Sequence, residues 1–233
     1  MRQHLASDSS KRPQLAIDDV PPHILGRYIF VPTQKFADVS ISKFSSFTYP
    51  ELLQETANFC RRMRLPLVIK VHPHLEGNAR AEQVRLIRLL NGSKGGAVYQ
   101  SMASINFLMV HALFSVTLNG GTLMDNFYTE TPVLTLARSL FQATDAVIRA
   151  NGIREGLERM AMTRWNQTNR LRQRQVVCWY KQNSLDVMKT TPENIAVLEA
   201  HFRSAALGSA AVFFAPLCTT VLNASGNAGK HGV

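Results

Sequence analysis

Leu67-Val68-Ile69-Lys70-Val71-His72-Pro73-His74 is the stretch on which the fold turns. Its first five residues are apolar but for one lysine, and they do not alternate with polar ones. A short continuous apolar run is the pattern of a strand covered on both faces, as in a parallel sheet. The run stops at two histidines around a proline, which puts polar groups at the strand's carboxyl end. Four similar runs occur, at Tyr28–Pro32, Ala97–Tyr99, Leu113–Leu118 and Val133–Leu136. Helical patterns lie between them. In Pro50–Arg64 the positions Leu52, Leu53, Thr56, Phe59, Cys60 and Met63 recur at helical spacing. Ala79–Leu90 turns Val84, Ile87 and Leu90 inward, with Gly92 placed to end it. Ser104–Ala112 and Gly121–Thr129 are two more. This alternation predicts right-handed βαβ units, hence an α/β fold: a Rossmann-like parallel sheet flanked by helices. Past residue 140 the pattern is helical, with Thr191 as an N-cap and Pro192 at the first helical position, a helical C-terminal extension.

Composition sets the outer limits. The chain has 233 residues, 45% hydrophobic and 18% charged, which suits one good domain with two tails. The expected division is a flexible N-terminal tail over 1–22, the sheet domain over 23–150, a basic helical extension packed on it over 151–204, and an apolar segment with a flexible tail over 205–233. Cys60, Cys178 and Cys218 are three and far apart, which argues against a disulfide framework or a zinc site and for a reducing compartment. No third ligand accompanies His72 and His74, so no metal is expected. Met1–Asp19 is polar and lacks the apolar run of a signal peptide. Ala205–Leu222 is uncharged for 18 residues but contains Gly208, Ser209, Pro216, Thr219 and Thr220, so a docked helix is favoured over a membrane span. The expected location is cytoplasmic, with peripheral attachment to the membrane as the alternative.

The net charge is +10, and residues 149 to 174 carry seven arginines against only Glu155 and Glu158. Such a segment attracts anions: an anionic membrane surface, a phosphorylated substrate or nucleic acid. Nucleic acid ranks last, because aromatic residues are sparse there (Trp165, Trp179, Tyr180) and no known nucleic-acid module matches.

Ligands of an open parallel sheet bind beyond the carboxyl ends of the strands. The first strand leads into Thr33, Gln34 and Asp38. The second ends in Lys70, His72, Pro73 and His74. The fourth leads into Asn119, Gly120, Gly121 and Thr122, just before a helix. Glycines admit a ligand close to the backbone, and a helix start offers free N–H groups and a positive dipole end, so a phosphate or carboxylate is the natural guest. His72 can donate a hydrogen bond to a phosphate or protonate a leaving one, with Pro73 fixing the turn that aims it. His74 is a second donor; Lys70, within the strand, either reaches the ligand or pairs elsewhere.

These residues resemble a known family. Tyr-Ile-Phe-Val-Pro-Thr-Gln-Lys-Phe-Ala-Asp (28–38) resembles the phenylalanine-proline-x-glutamine…aspartate opening of capsular polysaccharide biosynthesis proteins, which include the Kdo transferases of capsule export systems. Val68–His74 resembles their valine-lysine-x-His-Pro motif, and Ser104–Pro132 their segment ending in Gly-Lys-Pro-Val. The likeness covers residues 26 to 150. It implies the nucleotide-binding, C-terminal half of a GT-B glycosyltransferase, with a CMP-activated acidic sugar as donor, a glycan or glycolipid as acceptor and no further cofactor. By the same likeness His72 and Pro73 contact the donor's phosphate, and Asn119 is the family's asparagine. Gly120 stands where a serine is usual, with the hydroxyl of Thr122 two residues later. Asp125 takes the place of a glutamate, and Thr131 that of a lysine. The acceptor-activating base usually belongs to an N-terminal domain, so a partner domain or subunit is implied. The rival expectation is a non-catalytic module that binds nucleotide or sugar phosphate without turnover.

Overall fold

A computed structural model describes residues 19–92, 97–118, 121–139, 141 and 144–183. The expected N-terminal tail apart from its last residues, the Asn119–Gly120 pair, the Thr191 cap and the 205–222 segment lie outside them. Six parallel strands run in the order β3-β2-β1-β4-β5-β6: β1 Tyr28–Pro32, β2 Leu67–Lys70, β3 Val98–Gln100, β4 Ala112–Thr117, β5 Val133–Thr135 and β6 Ile148–Arg149. The expected Rossmann-like parallel sheet flanked by helices is therefore present, and its strand order reverses between β1 and β4. Among the described residues seven α-helices accompany it: α1 Val39–Phe44, α2 Tyr49–Met63, α3 Gly77–Gly92, α4 Ile105–Val110, α5 Thr122–Thr129, α6 Ile153–Met162 and α7 Gln167–Asn183. The compact unit that carries the sheet ends at Arg174; Gln175–Asn183 belong to a second.

Every residue of β1 and β2 is buried, which explains their continuous apolar runs. Successive side chains point to opposite faces. Ile29, Val31, Leu67 and Ile69 form one core with Leu52, Leu53 and Phe59 of α2, Ile87 and Leu90 of α3, and Leu157 of α6. Tyr28, Phe30 and Val68 form the other with Ile24, Leu108 and Met109. The Tyr28 hydroxyl, which burial keeps protonated, donates to the Leu108 carbonyl at 2.7 Å and ties β1 to α4.

Local chemistry sets the helix ends. The Thr48 hydroxyl accepts the Glu51 N–H and the Glu51 carboxylate accepts the Thr48 N–H, a capping box that starts α2. Arg64, at φ +53°, ends it in the left-handed region. Two details differ from expectation. Met63 is half exposed, and α3 buries Gln83 while Val84 is only partly covered. Gly156 of α6 owes its place to packing: a Cβ there would lie 2.8 and 2.9 Å from the Leu134 methyls and 3.0 Å from Ala150 Cβ.

Two elements were not expected. Strand β6 has two residues, too few for a periodic signal. Helix α1 is Val-Ser-Ile-Ser-Lys-Phe, a poor helix former by propensity. It forms in context: the Asp38 carbonyl accepts the Ile41 and Ser42 N–H groups, and the Phe44 carbonyl takes the Arg138 N–H from the loop after β5.

Candidate functional site

Register brings the strand ends level. Pro32 of β1 pairs with Lys70 of β2, and Thr117 of β4 with Thr135 of β5, so the loops that follow leave the sheet along one edge. That edge spans the reversal between β1 and β4, where open α/β sheets form their ligand crevice.

The crevice floor is occupied. Tyr49, fully buried at the start of α2, sets its hydroxyl 3.3 Å from the Pro32 carbonyl and 3.4 Å from Thr117 Oγ1, which bridges the ends of β1 and β4. Phe36 stacks on its ring at 6.2 Å. Burial pushes the Tyr49 hydroxyl far above the usual phenol range, against opposing hydrogen bonds from Thr117 and Leu118. It is a fixed neutral plug, and a ligand must lie above it.

Beside the plug, a polar knot joins β1, β2 and α3. Thr33 Oγ1 is 2.7 Å from Gln83 Oε1 and 3.1 Å from the Lys70 carbonyl, and it accepts the His72 N–H at 3.2 Å. Gln83 Nε2 donates to the Gln34 carbonyl at 2.6 Å. One buried glutamine of α3 thus holds the loop of Gln34 and, through Thr33, the turn of His72. That turn is tight: the Leu75 N–H bonds the His72 carbonyl at 3.1 Å across Pro73, and His72 Nδ1 accepts the His74 N–H at 3.2 Å. A ring nitrogen that accepts a backbone N–H is unprotonated, so the neutral His72 ring carries its proton on Nε2. The two histidine rings meet edge to face at 5.7 Å.

Lys70 turns toward the loop after β3. Its side chain is buried, and its ammonium donates to the carbonyls of Met102 at 3.1 Å and Ala103 at 2.6 Å, at the exit of β3. These two bonds strap the end of β2 to the loop after β3.

The fourth strand leads to α5, whose N-terminal residue Gly121 supplies no side-chain cap. Asn126 anchors this helix: its side chain accepts from the Ser115 hydroxyl of β4 and donates to the Thr122 carbonyl at 2.8 Å. Asp125 stands in the first turn, half-buried. Gln34 Oε1, Thr122 Oγ1 and Ser139 Oγ are buried atoms without a hydrogen-bond partner among the described residues. Gln34 and Ser139 come from the loops after β1 and β5, and Thr122 from the first turn of the helix that follows β4, three adjacent strands of one edge.

Of the residues expected from the sequence, Gln34, His72, Pro73, His74, Gly121, Thr122 and Asp125 lie in or next to the loops of this edge, while Asn119 and Gly120 are outside the described residues. Thr33, Tyr49, Gln83 and Ser139 were not among the candidates. Ser139 obeys the same strand-end rule applied to β5, and Gln83 was visible as a polar residue in the inward stripe of α3.

No family model matches the sequence, and no curated protein matches it. Solved structures do. The UDP-GlcNAc 2-epimerase of Methanocaldococcus jannaschii, in complex with UDP-GlcNAc and UDP, is 14% identical with a TM-score of 0.45, over 68% of this chain and 46% of that one. The calicheamicin glycosyltransferase CalG4 is 18% identical with a TM-score of 0.46, over 71% and 41%. A glycosyltransferase of Rickettsia africae is 10% identical with a TM-score of 0.45, over 76% and 47%. The matched region spans less than half the length of each. The fold assignment rests on the strand order above, not on these likenesses.

Other chemistries find little support among the described residues. Cys60 is buried and its thiol is pushed up to about 12 by desolvation, so it is no nucleophile. No group of three potential metal ligands occurs there, and no helix is long and apolar enough to cross a membrane. The basic segment is partly neutralised: Arg154 pairs with Glu55 at 3.4 Å, Arg159 with Glu155 at 3.6 Å, and Arg174 with Glu130 through two bonds of 2.8 and 3.0 Å.

Proposed function

We propose that this edge binds a nucleotide-activated sugar and that the chain is the donor-binding half of a glycosyltransferase making a surface polysaccharide or glycolipid. The observation that carries the reading is the trio of unpartnered buried atoms, Gln34 Oε1, Thr122 Oγ1 and Ser139 Oγ, beyond three adjacent strand ends. Buried polar atoms are nearly always satisfied, and leaving each unpaired costs about 1–3 kcal/mol. A ligand with phosphates and several hydroxyls supplies partners to all three. The uncapped start of α5 suits a phosphate, and Asp125 suits sugar hydroxyls. A CMP-linked acidic sugar is the donor suggested by the motif around His72.

In the step proposed, the bond between the anomeric carbon and the phosphate oxygen breaks, and the electron pair leaves with the phosphate. His72 Nε2–H donates a hydrogen bond to that oxygen and stabilises the charge that gathers on it. The acceptor hydroxyl forms the new bond to the anomeric carbon, and its proton passes to a base on a partner domain or subunit. Positioning and charge stabilisation supply most of the gain.

A second reading is favoured by one fact: the described residues form a single sheet. Binding without turnover is the corresponding outcome. The two separate on one experiment. With CMP-sugar and acceptor supplied, the transferase reading expects CMP release, reduced on the order of 100-fold in His72→Ala with the nucleotide still bound. Binding with no release in the wild-type chain, alone or with its partner domain, would support the module and exclude the enzyme.

A further inference from the structure

The basic face foreseen at residues 149 to 174 spends three of its arginines on carboxylates. Helix α3 does not. Arg80, Arg85 and Arg88 have no ion pair among the described residues, and with Gly77, Ala81 and Val84 they line a groove of about 370 Å³ on the helix's outer side. At 100° per residue these three arginines fall within one half of the helix circumference and the buried Gln83, Ile87 and Leu90 within the other, Ile87 lying beside Arg80 at the border. Leu89 closes that half and is 63% exposed. Clustered like charges oppose each other, and an apolar side chain in water gains nothing, so the face is suited to something outside the unit.

We propose that the outer face of α3 docks on a membrane surface rich in anionic phospholipid headgroups. Arginines pair bidentately with phosphate, and their aliphatic stems lie over Ala81 and Val84. Leu89 then enters the headgroup layer between the cations, the arrangement of an interfacial amphipathic helix. Nucleic acid fits poorly. Residues 77–92 contain no aromatic side chain to stack on a base, and Leu89 would be pressed against phosphates. From Arg80 to Arg88 the helix rises only about 12 Å, far short of the roughly 34 Å of one duplex turn. This proposal is independent of the function proposed above.

The test is co-sedimentation of the full chain with vesicles of phosphatidylcholine containing 30% phosphatidylserine (about 30%, a composition of ordinary anionic bilayers) or none. At about 1 kcal/mol per basic residue near an anionic surface, Arg80→Ala/Arg85→Ala/Arg88→Ala is expected to weaken binding on the order of 100-fold. Arg149→Ala/Arg164→Ala/Arg170→Ala removes the same charge elsewhere and is expected to change it less than about threefold. Leu89→Asp should weaken binding too, and millimolar pyrophosphate should not compete. None of these substitutions falls on a buried residue, and all should leave the far-ultraviolet circular dichroism unchanged. The proposal is overturned by equal binding of the α3 triple variant, by equal losses in both triple variants, by binding to neutral vesicles, or by displacement with pyrophosphate or RNA.

Discussion

Tyr49→Ala is expected to lower the free energy of unfolding by about 4 kcal/mol, while Tyr49→Phe lowers it by only about 0.5–1 kcal/mol. The ring is fully buried between the ends of β1 and β4, and truncation leaves a cavity where the strand order reverses. The hydroxyl bonds, at 3.3 and 3.4 Å, are long, so removing them alone costs little. With total stabilities of about 5–15 kcal/mol, the alanine variant loses a large share. Urea titrations of the three proteins measure the difference. If Tyr49→Phe lost as much as Tyr49→Ala, the hydroxyl bridge rather than ring packing would hold the two strands together.

Thr33→Val is expected to cost about 1–3 kcal/mol although it preserves shape. The methyl in place of the hydroxyl deprives the His72 N–H of its acceptor and Gln83 Oε1 of its nearest donor, both inside the sheet edge. Gln83→Leu breaks the same knot from the other side and also frees the Gln34 carbonyl. Because they share one interaction, the double variant should be more stable than the sum of single losses predicts, by at least about 0.5 kcal/mol. Strict additivity of the two losses would mean that Thr33 and Gln83 act separately. His72 is then not held through α3.

The fold was legible because buried parallel strands leave continuous apolar runs, and five of the six strands carry one. Ile148–Arg149 was too short to do so, and Val39–Phe44 is helical through bonds from Asp38 and Arg138 rather than through its own residues. The site was legible in part. His72, Gln34 and Thr122 follow from the rule that ligands meet strand ends. The bonds of the Lys70 ammonium to the Met102 and Ala103 carbonyls left no trace in the sequence, because a charged residue late in a strand can turn toward a neighbouring loop. Gln83 and Tyr49 lie 50 and 17 residues from the atoms they hold, and such long-range hydrogen bonds leave no periodic trace in a sequence.

The charge distribution carries a similar lesson. Seven arginines in one segment look like an anion-binding face until Glu55 and Glu130, from helix α2 and the end of α5, are brought against two of them. A bidentate Arg174–Glu130 pair spends its charge internally, whereas Arg80, Arg85 and Arg88 of α3 make no ion pair among the described residues.

The central claim is that the unpartnered atoms beyond the strand ends are nucleotide contacts. Isothermal titration of the full chain with CMP, and with UDP as the alternative pyrimidine nucleotide, tests it most directly. The account predicts binding by one of them, weakened about 10-fold or more by Gln34→Leu and by Thr122→Val, each of which removes one hydrogen-bonding group. Absence of binding by either nucleotide, or binding that both variants leave unchanged, would contradict it.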